Sequence, residues 1–96
     1  MTVPEKFALE QNYPNPFNPS TTIAYQLPSA ETVRITIYDL TGRNVLELLN
    51  ETKEAGSYTA KWDGRNQLGG QVASGLYIYQ IQAGQFTQSR KMLFMK

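Results

Sequence analysis

Beyond the first twenty residues, side chains alternate in character with a period of two. Ile23, Tyr25 and Leu27 interleave with Thr22, Ala24 and Gln26, and Val33, Ile35 and Ile37 with Arg34, Thr36 and Tyr38. Tyr58, Ala60 and Trp62 flank Thr59 and Lys61, and Tyr77, Tyr79 and Ile81 flank Ile78, Gln80 and Gln82. Such runs, rich in β-branched and aromatic residues, predict strands with one buried face. Turn residues separate them. Asp39-Leu-Thr-Gly-Arg43, Ala55-Gly56 and Asp63-Gly64 are turns, Asn66–Gln71 is a longer loop, and Ala83-Gly84-Gln85 joins Leu76–Gln82 to Phe86–Met95 in a tight hairpin. Val45–Leu49 also suits a helical face, but its brevity and flanking turns favour a strand. About six or seven short strands without a helix predict an all-β fold, an antiparallel immunoglobulin-like β-sandwich lacking the antibody cysteine pair. Ile35, Ile37 and Trp62 are its expected core, with a surface stacking platform as the alternative role for Trp62.

Residues 1–21 read differently, as a lead-in to a sandwich over residues 22–96. All five prolines lie between Pro4 and Pro28, three of them within Tyr13–Ser20. Proline removes a backbone donor and pushes its predecessor out of the α region, so this stretch is extended or turned. Phe7, Leu9, Tyr13 and Phe17 recur along it. Phe7, Tyr13 and Phe17 are expected to anchor the lead-in on the sandwich, with the prolines covering the sheet edge opposite the last strand.

The chain has 96 residues, 41% hydrophobic and 18% charged, which suits one small domain with a core. It contains no Cys and no His, which removes thiol nucleophiles, disulfides, His-based triads and His-ligated zinc. No apolar run approaches a membrane span or a signal peptide. The net charge of +1 hides a split: residues 1–63 carry five basic and eight acidic side chains, whereas residues 64–96 carry four basic and none acidic. Four cations, Arg65, Arg90, Lys91 and Lys96, are too few for strong nucleic-acid affinity. They leave open a recognition role for the last strand.

Candidate chemistry is sparse. Ser89 and Lys91 share a strand face without the helical spacing of Ser–Lys enzymes. Asp39 and Asp63 each precede a turn, where Asp caps through its own side chain. The Asp63–Gly70 loop departs from the calcium-loop template. No cofactor, metal or catalytic group is expected.

A more specific pattern covers residues 4–96. Phe7-Ala-Leu-Glu-Gln-Asn-Tyr-Pro-Asn-Pro-Phe-Asn-Pro-Ser-Thr-Thr-Ile23 resembles the opening of the type A C-terminal sorting domain of the type IX (Por) secretion system. Ile35–Val45, Ala55–Tyr58, Trp62–Gly64, Val72–Tyr79 and Arg90–Lys96 resemble its later segments in order. The Ig-like domain of the flagellar hook-capping protein shares the strand, turn and Trp-Asp-Gly pattern, but is not known for the Pro-rich opening or the terminal Lys. The resemblance implies a non-catalytic signal at the end of a larger cargo in Bacteroidetes. The cargo passes through the periplasm, crosses the outer-membrane translocon and meets a cell-surface transpeptidase. It implies translocon recognition through Gly75, Tyr77, Gly84, Arg90, Lys91 and Lys96, and a cleavage region before Phe7, with Met1 an artificial start. Two other classes are carried beside it: a self-assembling module pairing through edge strands, and a carbohydrate-binding sandwich stacking sugars on Trp62, Tyr77 or Tyr79.

Overall fold

The computed structural model describes residues 3–96; Met1 and Thr2, the first residues of the lead-in, lie outside them. Its strands are β1 (Ala8–Leu9), β2 (Thr21–Leu27), β3 (Glu31–Asp39), β4 (Asn44–Lys53), β5 (Gly56–Trp62), β6 (Gly75–Ala83) and β7 (Phe86–Phe94). They form two antiparallel sheets, ordered β1-β2-β5 and β4-β3-β6-β7. The architecture is the expected all-β immunoglobulin-like sandwich.

Alternation decides what lies between the sheets. Ile23, Tyr25 and Leu27 point inward from β2, and Val33, Ile35 and Ile37 from β3. Tyr79, Ile81, Met92 and Phe94 complete the core with Trp62, which is 1% exposed. Burying each such side chain contributes roughly 1.5–3 kcal/mol. Trp62 sits edge-on to Tyr77 at 5.4 Å, and its Nε1 donates to the Arg65 carbonyl at 2.9 Å. Its polar atom is therefore satisfied, and no sugar-stacking face is left.

β4 runs past Leu49 to Lys53, because Asn50–Lys53 belong to an edge strand with no apolar residue to mark them. Its pairing with β3 slips between Ile35 and Thr36 and again between Ile37 and Tyr38, leaving Leu48 and Val45 unpaired. Two bulges set neighbouring apolar residues side by side, which explains the helix-like spacing of Val45, Leu46, Leu48 and Leu49.

Two turns fix the ends of β3 and β6. Gly84 adopts φ +60 between β6 and β7, a conformation that costs a side chain strain, and a Cβ there would meet the Glu31 carboxylate. Asp39 caps the β3–β4 turn, its Oδ1 accepting from Thr41 Oγ1 at 2.6 Å, Thr41 N at 2.9 Å and Arg43 N at 3.0 Å. The Thr41 hydroxyl, helped by these amides, lowers the Asp39 pKa from 3.8 to about 2. A depressed carboxyl stabilises the fold above its unfolded pKa and loses that contribution as pH falls toward the folded value. Asp39→Asn should therefore flatten the part of the acid limb between about pH 4 and about pH 2. Acid titrations followed by circular dichroism check this; superimposable limbs for both proteins would contradict it.

Candidate functional site

The lead-in is a strap bound along β7. Phe17 N donates to the Leu93 carbonyl at 3.0 Å, and Met95 N donates to the Phe17 carbonyl at 3.1 Å. This is a parallel bridge between Phe17 and Phe94. Asn15 Oδ1 accepts from Leu93 N at 2.9 Å, and Gln11 Nε2 donates to the Lys91 carbonyl at 2.7 Å. From the other side, Arg90 Nε donates to the Leu9 carbonyl at 2.6 Å. Prolines cannot donate to a ladder, so Gln11 and Asn15 side chains supply polar atoms where the strap's own backbone cannot.

The strap is anchored from beneath as well. Phe17 is 1% exposed and stacks on Phe94 at 4.9 Å, with Trp62 at 5.6 Å. Phe7 stacks on Phe86 at 4.9 Å. Tyr79 Oη accepts from Asn12 N at 2.8 Å and donates to the Glu10 carbonyl at 2.7 Å. Burial raises the pKa of the Tyr79 phenol, which keeps it neutral and able to do both. Buried Asn12 donates to the Thr21 hydroxyl at 2.9 Å and to the Pro14 carbonyl at 3.1 Å.

Two expectations need correction. Tyr13 is not an anchor, because the residue is 80% exposed. Its backbone pairs with Thr22 in both directions at 2.9 Å, and Thr22 lies on the outer face of its sheet, so the ring points to solvent. The strap also does not cover the edge opposite the last strand. It covers β7 itself, and along the C-terminal half of that edge, among the described residues, only the Lys91 N–H is left without a partner.

The six residues implied in recognition do not form one patch. Gly84 caps the far end of the β6–β7 hairpin, whereas Gly75 lies opposite Phe94 at the other end. Tyr77 is buried, its hydroxyl donating to the Ala73 carbonyl at 2.7 Å. Arg90 faces the strap. Lys91 and Lys96 are exposed, Lys91 on the outer sheet face opposite Ile78. Lys96 N donates to Ser74 Oγ at 3.0 Å. Gly75, Lys91 and Lys96 thus share the C-terminal end of the sheet with Leu76, Leu93 and exposed Met95. Sequence reading missed Gln11, Asn12 and Asn15. The only available sign was amide side chains interleaved with prolines.

The remaining candidates resolve structurally. Tyr77 and Tyr79 join Trp62 in the core, which overturns sugar stacking on these three rings. In the Asp63–Gly70 loop, Asn66 Oδ1 accepts from Leu68 N and Gly70 N, and Arg65 Nη1 donates to the Gly69 carbonyl. Asp63 pairs with Arg65 at 3.4 Å, and Gln67 Oε1 accepts from Glu47 N outside the loop.

The profile of the FlgD Ig-like domain matches residues 15–86. No curated protein sequence matches the chain significantly. Two solved structures from Porphyromonas gingivalis are similar in fold. Dimeric latent PorU matches with a TM-score of 0.74 and 24% identity, over 91% of this chain and 9% of that one. PorZ, described as an essential bacterial surface component of the type IX secretion system, matches with a TM-score of 0.62 and 22% identity, over 93% of this chain and 12% of that one. The chain thus spans about a tenth of the length of either protein.

Proposed function

The chain belongs to the FlgD Ig-like domain family, and we propose that within it this domain is a non-catalytic type A sorting signal of the type IX secretion system. It directs a larger cargo, attached ahead of it, through the periplasm and the outer-membrane translocon to the cell surface. There a transpeptidase acts on the cargo. The observation that carries this reading is the pairing of the Pro-rich strap with the cationic last strand. The two segments that resemble the sorting domain are bonded to each other through Leu9–Arg90, Gln11–Lys91, Asn15–Leu93 and Phe17–Met95. The likeness to the two Porphyromonas chains supports it, since it extends beyond the 15–86 segment of the family match.

With the strap bonded along the C-terminal half of β7, recognition falls to side chains at that end of the sheet, Lys91 and Lys96 first. A reporter enzyme fused ahead of residues 4–96 should reach the surface of a type IX-competent host. Deleting Lys91–Lys96 should trap it in the periplasm. That deletion also removes the core residues Met92 and Phe94, so Lys91→Ala with Lys96→Ala is the cleaner variant, because both side chains are exposed. Surface activity should fall at least about tenfold in the double variant, the loss of two charge-assisted contacts. Undiminished surface activity in both variants would overturn the assignment.

A further inference from the structure

We propose that the β5 edge is a pairing surface for a second copy of this chain, joining two domains through a continuous six-stranded sheet. The four edge strands of the sandwich, β1, β5, β4 and β7, are not equivalent, and β1 is only two residues long. The C-terminal half of β7 is taken up by the strap, which bonds the Lys91 carbonyl and both backbone groups of Leu93. β4 is bent by two bulges, and the loop after β5 covers its first half: Gln67 N donates to the Val45 carbonyl at 3.0 Å, and Gln67 Oε1 accepts from Glu47 N at 3.1 Å. β5 has neither protection. It pairs with β2 over seven consecutive positions without a register shift and contains no proline.

Strand geometry identifies the groups that β5 leaves free. Thr22 exchanges both backbone bonds with Tyr13, and the Ala24 carbonyl accepts from Glu10 N, so these residues turn their backbones away from β5. Alternation then aims Thr21, Ile23, Tyr25 and Leu27 at β5, where they meet Trp62, Ala60, Tyr58 and Gly56. Ser57, Thr59 and Lys61 therefore direct their N–H and C=O groups outward. Among the described residues, none of these groups has a hydrogen-bond partner. An unbulged, unpaired edge of this kind is a template for another strand.

A second copy suits this edge in one register. Antiparallel pairing about a two-fold axis at Thr59 sets Thr59 against its own copy and Ser57 against Lys61 of the other copy. About six backbone hydrogen bonds then form, which satisfies every outward group of both strands. The central Thr–Thr pair is favourable, and no like charges stand opposite each other. The single cation of the strand, Lys61, meets a serine hydroxyl. The contact is small, so the association is weak and appears only at high concentration.

Sedimentation velocity on the 96-residue chain, in a concentration series up to about 1 mM, tests this; that range detects affinities worth only about 4 kcal/mol. The wild-type chain should shift from monomer to dimer. Thr59→Pro removes an outward donor without touching the β2 ladder and should remain monomeric. The charge pair checks the register and does not depend on how that variant folds. Ser57→Lys sets two lysines opposite two lysines and should weaken association about five- to tenfold. Adding Lys61→Glu should restore or exceed wild-type pairing. A wild-type chain that stays monomeric throughout would overturn the proposal, as would a dimer indifferent to Ser57→Lys.

Discussion

Phe17→Ala should remove about 3–5 kcal/mol of folding stability, the usual cost of emptying a fully buried aromatic site. Domains of this size have roughly 5–14 kcal/mol in total, so the loss is a large share. The size of the effect follows from position. The Phe17 ring lies between Phe94 and Trp62, while its backbone bonds both Leu93 and Met95. Losing the ring leaves a cavity and also loosens the strap from β7. Urea unfolding measures the first effect. Amide exchange measures the second, and the Met95 amide should lose far more protection than amides in the middle of β3. A stability change below about 1 kcal/mol would mean that the strap does not fold as one unit with the sandwich.

Tyr79→Phe is the second large effect, about 1–3 kcal/mol for a single oxygen atom. The hydroxyl is fully buried and is the hydrogen-bond partner of both Asn12 N and the Glu10 carbonyl. Removing it leaves that donor and acceptor unpaired, and an orphaned buried group costs more than a hydrogen bond gains. Thermal unfolding should show the destabilisation, with faster exchange of the Asn12 amide. An unchanged melting temperature would show that water replaces the hydroxyl at no cost.

The sheets were legible because their physics is local. One buried face imposes a period of two, and β2, β3, β5 and β6 have it in their sequence. β4 was legible as a strand but not in length or register. Its far end is an exposed edge with nothing apolar to mark it, and its bulges place consecutive apolar residues on one side. The strap was legible as extended and aromatic, but its direction was not. Its course is set by backbone groups and by the amides of Gln11, Asn12 and Asn15, which bond residues up to eighty positions away. Tyr13 shows why aromatic spacing alone misleads. It recurs with Phe7 and Phe17, yet its pairing with Thr22 turns the ring to solvent. The six candidate recognition residues differ in their surroundings. Lys91 and Lys96 are exposed, whereas Tyr77 packs in the core and Gly84 shapes a turn.

The strap and β7 run side by side in the same direction, and this governs how the domain carries load. Phe7 lies against Phe86 at the hairpin end, while Phe17 lies beside Phe94 at the C-terminal end. The long dimension of the fold is 38 Å. Pulling the chain apart between Phe7 and Lys96 therefore slides the strap along β7 instead of peeling it away. The bonds of Leu9, Gln11, Asn15 and Phe17 are strained together, and all must yield within the same small displacement. The domain is expected to resist tension along its own chain more strongly than its modest size and lack of disulfides suggest.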